Sequence, residues 1–268
     1  MGRNENLNSD SVGRPQGGLG AARIDMLERG INILQAFRST GEPLRLSEIA
    51  RRADLPKATT HRLLAELTRL DLLAPVEGGY VLGIGVFELG ELVPIKMRLR
   101  DTALPYMQDL YAATHETIHL GVRDGQDVLY AEKIWGHSGV DVPSRVGGRL
   151  PLSSTGLGKT LLAFSAPEVI AEVLGRPLRT LTARSIRDPA VLESDLDAIR
   201  RAGIGYDHEE ASPGVSCVAA PVIVRGEAVA AISVSVPSNR RQIGRLGPAV
   251  RIVALGLARQ LSKGINVL

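Results

Sequence analysis

The amino-acid sequence predicts an α+β protein of two domains. One domain has three helices and a β-hairpin, and the other has an antiparallel sheet flanked by helices. The chain of 268 residues is longer than the ~100–150 residues of a typical single domain. Helical periodicity followed by a hairpin pattern occupies residues 23–83, and helices and strands alternate from residue 101 onwards. We therefore expect a flexible arm over 1–22, a first domain over 23–83, a linker helix over 84–100 and a second domain over 101–268.

The predicted arm is rich in Asn, Ser and Gly and has no apolar period, which is typical of a flexible segment. From Arg23, apolar residues recur every three or four positions and predict an amphipathic helix that ends near residues 39–41. A second, short helix is predicted over 47–53, with Ser47 as its capping residue. Pro56 favours the first turn of a third helix, because a missing N–H is tolerated there.

The third predicted helix, which ends near residue 70, has an apolar face and a polar face. The apolar face consists of Thr60, Leu63, Leu64 and Leu67. The opposite face, which is basic near its N-terminal end, consists of Lys57, Ala58, His61, Arg62 and Ala65. A strand over 72–76, a turn at residues 77–79 and a returning strand over 80–82 then predict a hairpin.

Three helices followed by a hairpin predict a winged helix-turn-helix, in which a short turn presents the second helix of the pair to a groove of DNA. The residues expected to approach DNA are Lys57, Ala58, Thr59, Thr60, His61 and Arg62 on the helix and Gly78 and Gly79 in the wing. Periodicity places Thr60 at the inner edge of this set. The pattern alone also allows a small helical module that contacts other proteins.

The predicted linker helix is strongly apolar, and Pro94 is expected to kink it. Its exposed apolar side would contain Leu89, Leu92, Val93 and Met97. Because such a helix is too apolar to remain solvated, this side predicts either a dimer surface or packing against the protein's own domain.

The second domain is predicted from alternating strand and helix patterns. The predicted strands cover 117–122, 127–134, 216–224 and 227–236, and the predicted helices cover 102–113, 154–164, 167–174, 189–202 and 246–261. Turn sequences at 123–126 and at Arg225-Gly226 join the strands in pairs. Asp188 is a favourable cap for the helix over 189–202.

Composition narrows the classes of function. Hydrophobic residues at 44% and charged residues at 23% exclude wholesale disorder, and 3% aromatic residues leave few platforms for stacking single-stranded bases. A single cysteine excludes an intramolecular disulfide or a cysteine-rich zinc site and favours the cytoplasm. No apolar run is long enough for a membrane span or an export signal. A net charge of +3 permits an anionic partner without demonstrating one.

The segment 153–160 resembles a phosphate loop at its Gly158-Lys159 end. The Walker pattern requires glycine where this chain has Ser153, so nucleotide hydrolysis is not predicted. A turn of small residues that leads into a helix still favours a carboxylate or another small anion at the free helix amides. The same turn is equally compatible with a helix cap that binds no ligand.

Neither catalytic nor metal-binding residues are predicted. Cys217 lies in an apolar strand, where cysteine is usually a small buried residue, and no histidine accompanies it in a recognisable triad motif. The histidines lack metal-ligand spacing. The polar run over 207–210 could hold a metal but is more typical of a solvated strand edge. No cofactor is predicted, and the alternative function is a cysteine-dependent hydrolase fused to an interaction module.

Four motifs, in order along the chain, resemble the isocitrate lyase regulator (IclR) family of bacterial transcriptional regulators over about residues 23–263. They are the segment 55–64, the wing 78–83, the stretch from Leu150-Pro151-Leu152 to Gly158-Lys159, and 214–221 with 230–235. The resemblance implies a winged-helix DNA reader, a linker helix and a GAF-like effector domain. It also implies a homodimer or dimer of dimers that binds double-stranded operator DNA near catabolic genes, usually as a repressor, under the control of a small organic acid.

The resemblance also implies which residues contact the effector. They are Leu150, Gly156, Leu157, Asp207, Cys217, Ser233 and Ser235. Helix amides and serine hydroxyls would bind a carboxylate beside an apolar wall of Leu150 and Leu157. Leu157 replaces the small residue of some members, which bears on pocket size. Asp54 and Asp71 stand where the family usually has glycine, and aspartate can adopt the left-handed conformation that such turns require.

Overall fold

The protein forms two compact units, residues 1–93 and 94–268. The computed structural model describes residues 18–39, 42–93, 99–137, 143–239 and 243–264. Within these ranges, no helix combines the length and the apolar character needed to cross a lipid bilayer.

The N-terminal unit contains the predicted three helices and hairpin, followed by a further short helix. Its elements are α1 (Gly18–Gln35), a 3-10 turn (Ala36–Ser39), α2 (Leu46–Arg52), α3 (Lys57–Arg69), β1 (Leu73–Val76), β2 (Gly79–Leu82) and α4 (Ile84–Glu91). The three helices bury one apolar cluster with the first strand, consisting of Ile33, Phe37, Leu44, Ile49, Leu64, Leu67 and Leu73. The predicted winged helix-turn-helix is confirmed.

Several boundaries in this unit differ from the sequence-based expectation. Helix α1 begins at Gly18, so the last five residues of the predicted arm are helical, and residues 1–17 lie outside the described part. Ser47 does not cap α2, because the helix begins one residue earlier and Arg45 precedes it without a side-chain cap. The predicted linker helix ends at Glu91, where turn bonds close its last residues, and 94–98, including Pro94 and Met97, are outside the described residues.

The two aspartates at glycine-like positions adopt the predicted conformation. Asp54, in the turn before α3, has φ of 53°, and Asp71, before β1, has φ of 57°. Aspartate tolerates this left-handed region better than most residues do, so both turns form without glycine.

The C-terminal unit is a six-stranded antiparallel sheet with helices on both faces. Its strands are β3 (Thr117–Asp124), β4 (Asp127–Ile134), β5 (Arg149–Pro151), β6 (Gly205–His208), β7 (Val215–Val224) and β8 (Glu227–Pro237). Its helices are α5 (Asp101–Thr114), α6 (Gly156–Ala163), α7 (Pro167–Leu174), α8 (Pro189–Ala202) and α9 (Ile243–Gly264). The strand order is β5-β4-β3-β8-β7-β6.

The sheet separates two apolar cores because successive side chains of a strand face opposite sides. Helices α5 and α9 cover one side, on which the central strands place Ile118, Leu120, Val218, Ala220, Ile232 and Val234. Helices α6, α7 and α8 pack on the other side against residues that include Val128, Tyr130, Ala219 and Ala231. The polar residues of the central strands therefore face α6.

Most predicted elements of this unit are present with bounds close to those expected. Strand β4 and helices α7 and α8 match residue for residue, and the Asp188 carboxylate caps α8 by accepting a hydrogen bond from the Ala190 amide at 2.9 Å. Helix α6 begins at Gly156, two residues later than expected, because a short 3-10 turn precedes it. The short edge strands β5 and β6 were not predicted.

Candidate DNA-binding face and effector cavity

The turn between α2 and α3 presents the N-terminal end of α3 to solvent. The Leu55 amide donates a hydrogen bond to the Ala50 carbonyl at 3.0 Å, and Pro56 stands immediately before the first residue of α3. The side chains of Lys57, Ala58, His61 and Arg62 are exposed, whereas Leu64 and Leu67 are buried, as the periodicity predicted. The structure therefore places a basic, solvent-facing surface at the start of α3.

Thr60 is a correction to the predicted DNA-contacting set. Its side chain is 0% exposed, and its hydroxyl donates a hydrogen bond to the Pro56 carbonyl at 3.1 Å. The residue belongs to the core of the unit, and Thr59 is half-buried beside it. A side chain buried in this way does not face a base or a phosphate in this structure.

The two wing glycines occupy different environments. Gly78 lies exposed in the turn with φ of 89°, and a Cβ atom there would meet nothing within 4 Å. Gly79 has φ of 152°, and a Cβ atom there would overlap the Leu44 carbonyl. Leu44 and Tyr80 exchange two backbone hydrogen bonds of 2.9 Å beside it. Gly79 thus allows the loop before α2 to pair with the wing, and Gly78 is the glycine that faces solvent.

A cavity lies between the sheet and the start of α6. In the sheet register, Asp207 is opposite Cys217, Cys217 is opposite Ser235, and His119 is opposite Ser233. All five side chains are on the side that faces α6. The cavity is lined by His119, Tyr130, Thr155, Gly156, Leu157, Asp207, Ala211, Val215, Cys217, Ser233 and Ser235.

The structure thus brings six of the seven predicted effector residues around one cavity. Leu150 is the exception: it lies on the edge strand β5, is partly buried against the α6 side of the sheet, and lines a separate surface depression with Arg149 and Arg179. Sequence reasoning missed His119 and Tyr130. The alternation of side chains along β3 could have indicated His119. This residue lies between the apolar residues Ile118 and Leu120, so its side chain faces the opposite side of the sheet from theirs.

The cavity is enclosed and very small. It leaves about 10 Å³ for the centre of a water molecule, which is the space of a single water. Leu157 helps to fill this region, since its side chain packs close to Gly121 on the facing strand. An organic acid therefore needs the lining to move before it can enter.

A chain of hydrogen bonds runs along the floor of the cavity. The Cys217 Sγ and Ser235 Oγ atoms are 3.0 Å apart, and Ser235 Oγ is 3.4 Å from His119 Nδ1. On its other side, the ring of His119 contacts the Ser144 hydroxyl through Nε2 at 2.7 Å. Each hydroxyl can donate or accept, so this chain can adapt to either kind of ligand atom.

The pKa values of the titratable groups around the cavity are shifted towards their neutral forms. Burial, together with the nearby positive charge of Lys133, lowers the pKa of His119 to about 3. Burial is also the main reason that the pKa values of the Cys217 thiol and the Tyr130 hydroxyl are raised well above their usual ranges. For Asp207, burial and the charge of Glu210 raise the pKa to about 7, although two backbone hydrogen bonds and the charge of Lys159 act to lower it.

The first turn of α6 borders the cavity, which Gly156 and Leu157 help to line. Thr155 caps the helix by accepting a hydrogen bond from the Gly158 amide at 3.0 Å, and the first two amides, of Gly156 and Leu157, have no acceptor within a helix. A Cβ atom on Gly156 would lie 3.4 Å from the Cys217 Cβ and 3.5 Å from the Asp207 Cβ. The helix start therefore abuts β6 and β7.

A buried ion cluster anchors the loop between β6 and β7, residues 209–214. Lys159 Nζ lies 2.6 Å from Glu210 Oε1 and 2.8 Å from Asp195 Oδ2. The Glu210 amide donates a hydrogen bond of 2.6 Å to Asp207 Oδ1, and Ser185 donates to the Glu210 carbonyl at 2.7 Å. Ala211 of this loop lines the cavity, so the cluster fixes part of the cavity wall.

The polar run 207–210 does not form the solvated strand edge that the sequence favoured. Asp207 and Glu210 are 1% and 6% exposed, respectively. Asp207 accepts a hydrogen bond from the Glu210 amide, and the Glu210 carboxylate pairs with Lys159 in the ion cluster. His208 instead stacks on Tyr206. Within the described ranges, no group of three or more His, Cys, Asp or Glu side chains is arranged to hold a metal ion.

A winged helix-turn-helix in the same chain as a domain with an enclosed polar cavity defines a DNA-binding regulator that responds to a small molecule. The family model for the bacterial transcriptional regulator IclR C-terminal domain matches residues 93–263, and the model for the IclR helix-turn-helix domain matches 26–77. The chain belongs to the IclR family of bacterial transcriptional regulators, as the sequence resemblance implied.

Known relatives agree with this membership. The HTH-type transcriptional regulator BhcR of Paracoccus denitrificans is 34% identical over 263 residues, 94% of each chain. The HTH-type transcriptional repressor AllR of Escherichia coli is 34% identical over 218 residues, 80% of each chain. An IclR homolog from Microbacterium hydrocarbonoxydans, crystallised with 4-hydroxybenzoate, has a TM-score of 0.82 at 30% identity over 89% of this chain and 99% of that chain.

Proposed function

We propose that this protein represses a catabolic operon in the cytoplasm and that a small organic acid bound in the enclosed cavity changes its affinity for operator DNA. The observation that carries the proposal is that the first two residues of α6, Gly156 and Leu157, line one cavity together with two serines, Ser233 and Ser235. Backbone N–H groups and hydroxyls of this kind are suitable donors for a carboxylate. The relative crystallised with 4-hydroxybenzoate supports a monocarboxylate, and the repressor AllR supports repression.

The chemistry of Cys217 argues against the alternative of a cysteine-dependent hydrolase. A nucleophilic cysteine needs a lowered pKa, usually beside a cationic histidine or at an electropositive site. Here burial and the neighbouring Asp207 raise the pKa of the thiol, and His119 is neutral. We therefore assign no catalytic role and no cofactor to the cavity.

We also propose that the protein works as a homodimer or a dimer of dimers. One winged helix reads only a short site, so specific binding requires two readers at a fixed spacing. Leu89, Leu92 and Val93 are exposed apolar side chains on and just after α4, which supports an apolar dimer surface there.

Arg62→Ala is expected to weaken specific DNA binding by about 1–3 kcal/mol, because an exposed arginine at the start of α3 would lose a phosphate or base contact. Binding should also fall steeply with salt. A gel-shift titration with the protein's own upstream region measures both effects. Arg69→Ala is the matched control, since Arg69 pairs with Glu66 at the far end of α3. Equal affinity for random duplex and the upstream region at every salt concentration would contradict the proposal.

Ser233→Ala is expected to weaken acid binding by about 1–2 kcal/mol, because a hydroxyl donor is removed from the cavity. Operator binding without acid should be unchanged. Calorimetry with candidate acids, followed by gel shifts with and without each acid, tests both statements. Ser262→Ala on α9, a hydroxyl that bonds within its own helix, is the control. Unchanged acid affinity in Ser233→Ala would place the effector elsewhere.

A further inference from the structure

Asp207 is the one acidic side chain among the described residues that line the cavity, and none of those residues is lysine or arginine. Its side chain is 1% exposed, and Oδ1 accepts hydrogen bonds from the amides of Glu210 at 2.6 Å and Ala211 at 3.4 Å. A ligand carboxylate in this cavity would therefore meet a carboxyl group, with no cation in the lining to neutralise either of them.

Charged and titratable groups face Asp207 from every element that packs around it. They are Glu210 from the β6–β7 loop, Lys159 from α6, Cys217 from β7, Tyr130 from β4 and His119 from β3. Lys159 is the one cation of this set, and it is already held between two carboxylates, Glu210 and Asp195. The cluster of these three ions has a net negative charge, so the charge of Lys159 lowers the pKa of Asp207 only in part and leaves no net positive charge for a further anion.

The remaining neighbours offer no counter-charge. The pKa shifts of His119, Tyr130 and Cys217 described above keep all three neutral near pH 7. Two ionised carboxylates in contact inside an enclosed, poorly solvated cavity repel each other strongly, as in pairs of carboxyl groups that share one proton. One carboxyl of such a pair stays protonated and donates a hydrogen bond to the other.

We propose that Asp207 and the effector carboxylate share one proton, so that the cavity binds a monocarboxylic acid together with a proton and rejects dicarboxylates. The acid arrives as an anion, the proton comes from Asp207 or from solvent, and no covalent bond forms or breaks. A second carboxylate on the ligand would remain buried without a partner, which is strongly unfavourable. This inference rests on the proposed function, and it adds the protonation state in which the ligand is bound.

The dissociation constant should depend on pH with a defined sign. The raised pKa of Asp207, about 7, leaves the group protonated below about pH 6, so the dissociation constant is constant there. Above about pH 8 each binding event must take up one proton, and the dissociation constant rises tenfold per pH unit.

The experiment is calorimetry of the full-length protein with formate, acetate, glycolate, pyruvate, benzoate and 4-hydroxybenzoate, and with succinate as the dicarboxylate. Buffers of different ionisation enthalpy report proton uptake, which we expect to approach one proton per acid at about pH 8.5. Asp207→Asn keeps an oxygen for the two loop amides and cannot ionise. Its acid affinity should be independent of pH and, at about pH 8.5, about thirtyfold tighter than that of the wild type. Asp197→Asn, at an exposed residue paired with Arg200, should retain the wild-type slope.

The outcomes separate the inference from the proposed function. Acid binding without proton uptake, tight binding of succinate, or an unchanged slope in Asp207→Asn overturns the inference alone. If no acid of the panel binds or alters operator affinity, the proposed function fails, and the inference fails with it. Should Asp207→Asn not fold, a pH titration of the wild type followed by the ¹³Cγ chemical shift of Asp207 tests the inference instead. A titration midpoint near pH 7 supports the inference, and a midpoint near pH 4 overturns it.

Discussion

Replacing Lys159 with methionine is expected to lower the free energy of unfolding of the C-terminal unit by about 3–5 kcal/mol. The Lys159 side chain is 3% exposed, and its ammonium group lies between the carboxylates of Glu210 and Asp195. Methionine has similar length but no charge, so the 8% exposed Glu210 side chain would lose its cation. A buried carboxylate without a partner is among the most costly defects that a substitution can produce.

Chemical denaturation monitored by tryptophan fluorescence measures this effect. Trp135 is the single tryptophan of the chain and follows β4 directly, so its signal reports on the C-terminal unit. Lys263→Met, near the exposed end of α9, is the control and should change stability by less than about 0.5 kcal/mol. Combining Lys159→Met with Glu210→Gln should recover part of the loss, because the unpaired charge is removed. A loss below about 1 kcal/mol for Lys159→Met alone would show that solvent reaches the cluster.

Gly79→Ala is expected to destabilise the N-terminal unit by about 3 kcal/mol and to abolish operator binding at concentrations that saturate the wild type. The new Cβ atom would overlap the Leu44 carbonyl, and the backbone would be held at a φ of 152°, which is unfavourable for alanine. The wing would separate from the loop before α2, breaking the pair of hydrogen bonds between Leu44 and Tyr80.

Gly78→Ala provides a matched control at the adjacent position. It carries the backbone cost of a positive φ, about 1 kcal/mol, but its Cβ atom meets no neighbour within 4 Å. Hydrogen exchange of the α2, α3 and wing amides in the full chain, together with gel shifts, distinguishes the two variants. Equal protection and equal operator binding in both would contradict the structural role given to Gly79.

Much of the fold could be predicted because local signals mark the ends of its elements. The start of α8 could be predicted from the proline in its first turn and from the Asp188 cap. The start of β4 could be predicted from the turn over 123–126. The edge strands β5 and β6 have only three and four residues, too few for a period to appear. Ser47 is a favourable cap by type, but the chain enters α2 one residue earlier.

The cavity could be predicted only in part, because its residues are far apart in the sequence. The order of the strands in the sheet is what brings them together. Alternation places Ser233 and Ser235 on one side of β8, but only the pairing of β8 with β3 brings His119 beside them. Lys159 and Glu210 are 51 positions apart, and no local pattern links them. Leu150 was assigned by resemblance, yet β5 is the strand at the opposite edge of the sheet from β6, which bears Asp207.

Under the proposed function, the closed state of the cavity would limit the rate at which the protein senses its ligand. A space for one water excludes even a carboxyl group, so the occupied form is reached through a transiently opened one. The apparent affinity is then the intrinsic affinity reduced by the fraction of molecules that are open. At high acid concentration we expect the rate of occupation to level off at the opening rate of the cavity. If the proposed control by an acid holds, brief fluctuations in acid concentration would be averaged out before they change operator binding.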